Sequence, residues 1–252
     1  MAIGQERQEK VQIARILGRT FKTPQGSLAP LALAAIVLVA APQYASQQYL
    51  GDAGSTAVGD YRWPLRGGLM LLSTATAALL HGLVIRVCLD RLLEREVSVG
   101  EAIATVLPRT VSLIAVGILT GILVALGAFL LLIPGIILYI GWSVASAAVI
   151  QDGLSTVPAM KRSWHLTRGN RWRIFWLFAL AGILYLLALG GAALAVQSSA
   201  GGGAASAGAV AIQAAIMAFV ELFAGSLKAS LYFELRSASE GLPSEALAAV
   251  FE

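Results

Sequence analysis

Six long apolar blocks constrain the fold of this chain more than any other feature of its sequence. The blocks are residues 27–50, 67–89, 110–132, 135–150, 174–196 and 207–233. Most exceed the ~18–20 residues needed to cross a hydrocarbon core of ~30 Å. Because backbone polar groups in lipid must be satisfied within their own segment, each block is expected to be a helix. The sequence therefore predicts an all-α fold, a polytopic transmembrane bundle of six helices.

The composition argues against a soluble globular domain. Hydrophobic residues make up 58% of the chain, charged residues 13%, and the mean hydropathy is +0.77, whereas about a quarter of a soluble domain is charged. We predict one integral membrane domain over residues 1–252, with a cytoplasmic amphipathic segment (1–26), the six-span bundle (27–236) and a cytoplasmic tail (237–252). The first segment is too long and too amphipathic for a signal peptide, so the first span should be retained.

The positive charges predict an orientation. With the N-terminus inside, all but Arg62 and Arg66 of the 18 Lys and Arg residues fall on the cytoplasmic side. Such a bias in short loops sets the topology of membrane proteins, which gives both termini inside. Basic residues beside the spans attract anionic headgroups at ~1 kcal/mol each. These residues account for the sequence pI of about 9.5, so the basic charge does not predict a nucleic-acid partner.

Three basic amphipathic stretches each precede a pair of spans, which suggests three repeated units of interfacial helix and hairpin. Their predicted apolar faces are Ile13, Leu17 and Phe21; Val99, Ile103 and Val106; and Val157, Met160 and Trp164. Helices of this kind lie in the headgroup plane with the apolar face down. The residues expected to contact anionic lipid headgroups are Arg15, Arg19, Lys22, Lys161, Arg162, His165, Arg168, Arg171 and Arg173.

Four short motifs carry a family resemblance. Residues 131–137 (LLIPGII) are followed by Trp142-Ser143, by 159–172 (AMKRSWHLTRGNRW) and, later, by 232–236 (YFELR). The chain resembles the membrane domain of the glycerophosphoryl diester phosphodiesterase family, in its stand-alone YciC-like bacterial form. Gly141 departs from the pattern, since the family often has a basic residue there. The resemblance implies a polytopic bundle in the bacterial inner membrane, without the soluble phosphodiesterase domain.

Catalytic chemistry is not expected. His81, His165 and Cys88 cannot build a usual zinc site without carboxylates from other helices, and neither an HExxH nor a phosphate-binding-loop motif is present. Ser143 is expected to pack between helices rather than act as a nucleophile. We therefore predict no enzyme activity, no cofactor, no metal and no catalytic residue.

Ionisable residues inside the apolar blocks are the strongest functional lead. An intramembrane charge costs at least ~2.5–3.5 kcal/mol unless it is paired or hydrated. The depths of the residues in their spans predict a polar cluster of His81, Arg86, Glu221 and Lys228. The alternative is that Arg86 and Lys228 extend to the headgroups and that Glu221 is protonated or bonded to a neighbouring helix.

Three functions remain open from the sequence. The first is a non-enzymatic protein that engages anionic lipids, in envelope or lipid homeostasis. The second is a small-solute transporter or channel that uses the Glu221 cluster, although the spans show no obvious broken helix of the kind transporters use. The third is a scaffold or assembly subunit, bound to another membrane protein or to copies of itself.

Overall fold

The structure is a computed structural model, and it describes residues 13–22, 63–95, 99–199 and 207–240. Within those ranges the regular elements are helices, which agrees with the predicted all-α fold. The first five are α1 (Ile13–Lys22), α2 (Trp63–Leu92), α3 (Val99–Val106), α4 (Thr110–Leu130) and α5 (Leu132–Gly141). The remaining four are α6 (Ala145–Asp152), α7 (Thr156–Leu166), α8 (Arg171–Ser199) and α9 (Ala207–Glu240).

Four stretches of the described chain are long and apolar enough to cross a membrane. They are Gly67–Leu92, Gly100–Leu130, Leu132–Asp152 and Arg171–Gly191. The predicted span 27–50 lies outside the described residues. The predicted span 207–233 is helical as part of α9, but α9 is not among the four. The described residues thus carry four candidate spans rather than six, and α9 continues to Glu240, past the predicted boundary at residue 236.

A tight hairpin joins the second candidate span to the third. Leu131 alone is extended, with φ −159° and ψ 134°, between the end of α4 and the start of α5. A Cβ on Gly135 would lie 2.7 Å from the backbone nitrogen of Ala128, so glycine permits the close approach of the two helices.

The third candidate span is interrupted. Helix α5 ends at Gly141, residues 142–144 form turns, and α6 starts at Ala145. The expectation of no broken helix was therefore wrong. The apolar block continues through the break because Trp142, Ser143 and Val144 are not charged residues, and hydropathy alone does not distinguish such a turn from helix.

The described bundle has two unlike halves. Side chains near the α4–α5 hairpin are widely exposed, and Phe129 reaches 91%. In the other half, α2 is buried almost continuously from Leu80 to Leu89, and α6 and the C-terminal half of α9 are buried with it. We call these the lipid-facing half and the packed half, because apolar side chains exposed on a spanning helix face acyl chains.

The three amphipathic helices form as α1, α3 and α7, but their buried faces differ from those predicted. In α1, Ile16 and Thr20 are buried and the predicted Leu17 packs against the core, while the burial of the Ile13 and Phe21 side chains lies outside what the structure describes. The other two helices also bury small residues. In α3 and α7 the buried side chains are Ala102, Val106, Ala159, Met160, Ser163 and Leu166, while Ile103 and Val157 are exposed. These helices pack against the bundle, where small residues allow close approach.

Candidate functional site

A chain of three polar side chains joins α2 to α9. Gly225 of α9 sits against Val84 of α2 so closely that a Cβ on Gly225 would lie 2.5 Å from Val84 Cγ1. This contact brings His81 Nδ1 to 2.5 Å from Glu221 Oε1. On the other edge of the ring, Lys228 Nζ lies 3.2 Å from His81 Nε2. We call His81, Glu221 and Lys228 the α2–α9 triad.

With Lys228 as an ammonium and Glu221 as a carboxylate, the two contacts require one tautomer of His81. An ammonium group can only donate, so Lys228 donates to Nε2 and that nitrogen carries no hydrogen. Neutral imidazole then has its hydrogen on Nδ1, which donates to the Glu221 carboxylate. The side chains of His81 and Glu221 are 18% and 29% exposed. In these charge states the triad carries no net charge, and pairing lowers the cost of burying its ammonium and its carboxylate.

Arg86, the fourth residue of the predicted cluster, lies elsewhere. Its Nε is 2.8 Å from Oδ2 of Asp90, one turn further along α2. The structure therefore brings together three of the four predicted residues, and Arg86 belongs to a separate ion pair. The signal for that pair was the i,i+4 spacing of opposite charges on one helix.

Three of the basic residues expected at headgroups contact the protein itself. Arg19 of α1 bonds Glu234 of α9 and lies 4.9 Å from the centroid of the Phe233 ring. The Arg171 guanidinium lies 3.9 Å from the centroid of the Trp164 ring, as in a cation–π contact.

Arg162, the third of these residues, joins a polar network at the end of the packed half. Its guanidinium contacts Glu240 and lies 3.3 Å from Oδ2 of Asp152. Tyr232 donates to the same Asp152 oxygen at 2.7 Å, and Arg236 lies 3.7 Å from the other. Burial of the Arg162 guanidinium disfavours its charged form, but the carboxylates of Glu240 and Asp152 outweigh that effect and raise the pKa of Arg162 above its ordinary value. Sequence reasoning missed Asp152, Glu234 and Glu240, since a carboxylate beside a span has no pattern that names its partner.

The other predicted headgroup residues divide into two sets. Lys161, His165 and Arg168 are exposed and lie at i, i+4 and i+7 along α7 and the turn after it, so they share one face. We call this the basic face of α7. The surroundings of the Arg15 and Lys22 side chains lie outside the described residues, and Arg173 is half-buried.

A cavity of about 290 Å³ adjoins the basic face of α7. His165 and Arg168 line it together with Gly169, Asn170 and residues near the end of α9. Trp172 and Trp176, on the first turns of α8, are 70% and 55% exposed. Tryptophans are enriched at both membrane–water interfaces of spanning helices.

The motifs of the family resemblance meet at the break between α5 and α6. The Ser163 hydroxyl donates to the Gly141 carbonyl at 2.8 Å and accepts from the Val144 N–H at 3.3 Å. It thereby satisfies backbone groups that the break frees from the helix. Ser143, as expected, is buried, and its hydroxyl bonds the Ile140 carbonyl at 2.8 Å.

Among the residues that the structure describes, no group of three or more His, Cys, Asp or Glu side chains is placed to hold a metal ion.

Comparisons with known proteins indicate a family without an assigned activity. The family model for a domain of unknown function (DUF7847) matches residues 21–232. A UPF0259 membrane protein of Sodalis glossinidius (strain morsitans) is 36% identical over 134 residues, which is 46% of this chain and 52% of that protein. The chain thus spans about half the length of that relative. No solved structure matches the chain. The resemblance to the phosphodiesterase-associated membrane domain stays a prediction.

Proposed function

The chain belongs to the DUF7847 family, and from this premise we propose that it is a non-enzymatic protein of the bacterial inner membrane that binds anionic lipids. Its N- and C-termini and its packed half would face the cytoplasm. The observation that carries the proposal is the basic face of α7, which lies beside the exposed Trp172 and Trp176.

The ion pairs narrow the set of residues that would bind lipid. Arg19 and Arg162 contact carboxylates of α6 and α9, so their charges already have protein partners. Among the described residues, neither Lys161 nor Arg168 forms an ion pair. We therefore assign headgroup binding to Lys161 and Arg168, with His165 between them.

The cavity beside these residues supports the same assignment. Arg168 and His165 line its wall, and an arginine can bind phosphate oxygens through two parallel hydrogen bonds. A lipid phosphate seated there would leave the acyl chains beside the exposed aromatic side chains of α8. The proposal thus combines charge, space and an interfacial position.

The test measures the lipid retained by purified protein. We expect wild-type protein in neutral detergent to retain phosphatidylglycerol in preference to phosphatidylcholine, as counted by native mass spectrometry. The double variant K161Q/R168Q removes two charges worth ~1 kcal/mol each, so it should bind phosphatidylglycerol roughly 30-fold more weakly.

A matched control removes two charges from another helix end. R91Q/R95Q neutralises two basic residues after the buried part of α2 and should retain phosphatidylglycerol as the wild type does. Equal losses in the two double variants would mean that net charge, rather than the basic face of α7, holds the lipid. Unchanged retention in K161Q/R168Q would overturn the assignment.

A further inference from the structure

The α2–α9 triad contains a proton-accepting atom, His81 Nε2, in contact with the Lys228 ammonium. His81 Nε2 lies 3.2 Å from Lys228 Nζ, and this bond exists only while Nε2 carries no hydrogen. Imidazole is the side chain whose charge changes between about pH 5 and 8 in the absence of perturbation. The contact between Lys228 and His81 therefore fits a neutral imidazole, and the side chains must rearrange when the imidazole is protonated.

We propose that His81 is a proton-binding site, and that binding of H⁺ at Nε2 releases Lys228 from α2. A protonated imidazole has hydrogens on both nitrogens and accepts from neither. Nε2–H and the ammonium would then be two donors and two positive charges in contact, so the Lys228–His81 bond is lost. This inference goes beyond lipid binding and does not depend on it.

Glu221 stabilises the protonated form of His81. Its Oε1 lies 2.5 Å from His81 Nδ1, so it pairs with imidazolium as readily as it accepts from neutral imidazole. The bond between α2 and α9 through Glu221 thus persists when the bond through Lys228 is lost. Proton binding makes His81 a cationic partner of Glu221, and the released Lys228 ammonium becomes the group that moves.

The other described elements packed on this stretch of α2 contribute apolar groups. A Cβ on Gly82 would meet the side chains of Val106 in α3, Leu113 in α4 and Ile150 in α6. On α2 itself, Cys88 lies two turns away and contacts Ser226 at 3.2 Å, while Arg86 pairs with Asp90. Glu221 and Lys228 are accordingly the charged groups that face the imidazole in the described structure.

The position of Lys228 on α9 determines where its ammonium can move once the contact with His81 is lost. Lys228 is seven residues beyond Glu221, or ~10 Å along the helix at 1.5 Å per residue, and its side chain reaches back toward the start of α9 to meet His81. Once freed, the flexible stem can turn the ammonium toward the interface at the packed half. Proton binding would thereby move a positive charge along the bundle axis.

Histidine nitrogen NMR tests this inference directly, because the chain has two histidines. The 252-residue chain in lipid nanodiscs, labelled with ¹⁵N-histidine and ¹⁵N-lysine, should give two sets of histidine ring signals, assigned with His165→Gln, and a Lys228 signal, assigned with Lys228→Met. At high pH we expect His81 with hydrogen on Nδ1 and a bare Nε2. On acidification both nitrogens should become protonated, and the Lys228 ¹⁵Nζ signal should change with the same midpoint.

Two variants separate a proton site from a merely structural bond. Lys228→Met removes the opposing cation and should move the His81 midpoint up by about one pH unit or more. Glu221→Gln removes the stabilising anion and should move it down. Arg95→Met, at an exposed position after α2, also removes one positive charge; it is the matched control and should leave the midpoint unchanged.

Three outcomes would overturn the proposal. The first is a hydrogen on His81 Nε2 at high pH, which is incompatible with the Lys228 bond. The second is an imidazole that stays neutral from pH 9 to pH 4. The third is a His81 midpoint that Lys228→Met leaves unchanged. The same spectra report whether each variant is folded, through the His165 signals, so failure to fold cannot be mistaken for any of these results.

Discussion

Gly141 determines how closely α7 can approach the broken span. A Cβ at this position would lie 2.2 Å from Cε3 of Trp164, a distance at which the indole must move. We predict that Gly141→Ala destabilises the protein by about 1–3 kcal/mol, the usual cost of overpacking a close-packed site. Thermal unfolding in detergent, followed by the tryptophan fluorescence of the chain, would measure the loss.

The control for this prediction is Gly121→Ala on α4. A Cβ there meets nothing within 4 Å, and alanine is favoured over glycine in a helix by up to ~1 kcal/mol. The control variant should therefore be as stable as the wild type or more stable. If the two variants unfold at the same temperature, the contact between Gly141 and Trp164 does not constrain the fold.

At the residue scale, the sequence predicted the contact that follows from the depth of two residues along their helices. It missed the contacts that depend on how each helix is rotated about its axis. Counting residues along the spans placed His81 beside Glu221, because both lie at similar depth. The same count grouped Arg86 with them, whereas the rotation of α2 directs it to Asp90. The role of Ser163 was also missed, since a serine that bonds a broken helix resembles any small packing residue until the break is known.

At the element scale, the amphipathic pattern predicted that three helices form and that Leu17, Val106 and Met160 lie on their packed sides, but it missed the small residues that share those sides. The prediction assumed lipid beneath each helix, which would select the largest apolar residues. The structure instead packs α1, α3 and α7 against other helices, where Ala102, Ala159 and Ser163 fit. Large residues such as Val157 then remain exposed. Because the prediction assumed that each helix packs on lipid rather than on protein, it identified the helices correctly but not all the residues on their packed sides.

The attachment of α1 to α9 gives a prediction at this scale. Arg19 bonds the buried Glu234, and Ile16 is fully buried beside it. Glu234→Ala removes the ion pair, which we expect to weaken the attachment by about 1–2 kcal/mol, between the values for exposed and buried pairs. Trypsin should then cut α1 at its basic residues about tenfold faster. Glu94→Ala, at an exposed position after α2, should leave the rate unchanged. Equal rates in all three proteins would show that the ion pair does not hold α1.

At the scale of the whole molecule, charge and packing divide the bundle in the same way. The ion pairs of Arg19, Arg86, Arg162 and Arg236 lie in the packed half, while the α4–α5 hairpin is uncharged. The positive-inside rule uses loop charges alone, yet here many of those charges also join helices to one another. The proposed orientation would therefore place this network on the cytoplasmic side, which links orientation to packing.

That link leads to a prediction about topology. Cysteines introduced at Lys161 and at Leu131 should react with a membrane-impermeant maleimide from opposite sides, Lys161→Cys in inverted vesicles and Leu131→Cys in intact spheroplasts. Both positions are exposed, and the native Cys88 is buried, so the unmodified chain serves as the unlabelled control. Labelling of Leu131→Cys in inverted vesicles alone would reverse the proposed orientation. Labelling of both variants from one side would mean that the α4–α5 hairpin does not cross the membrane. The expected pattern requires the exposed basic residues of α7 to meet the cytoplasmic leaflet, which is where lipid binding by Lys161 and Arg168 would take place.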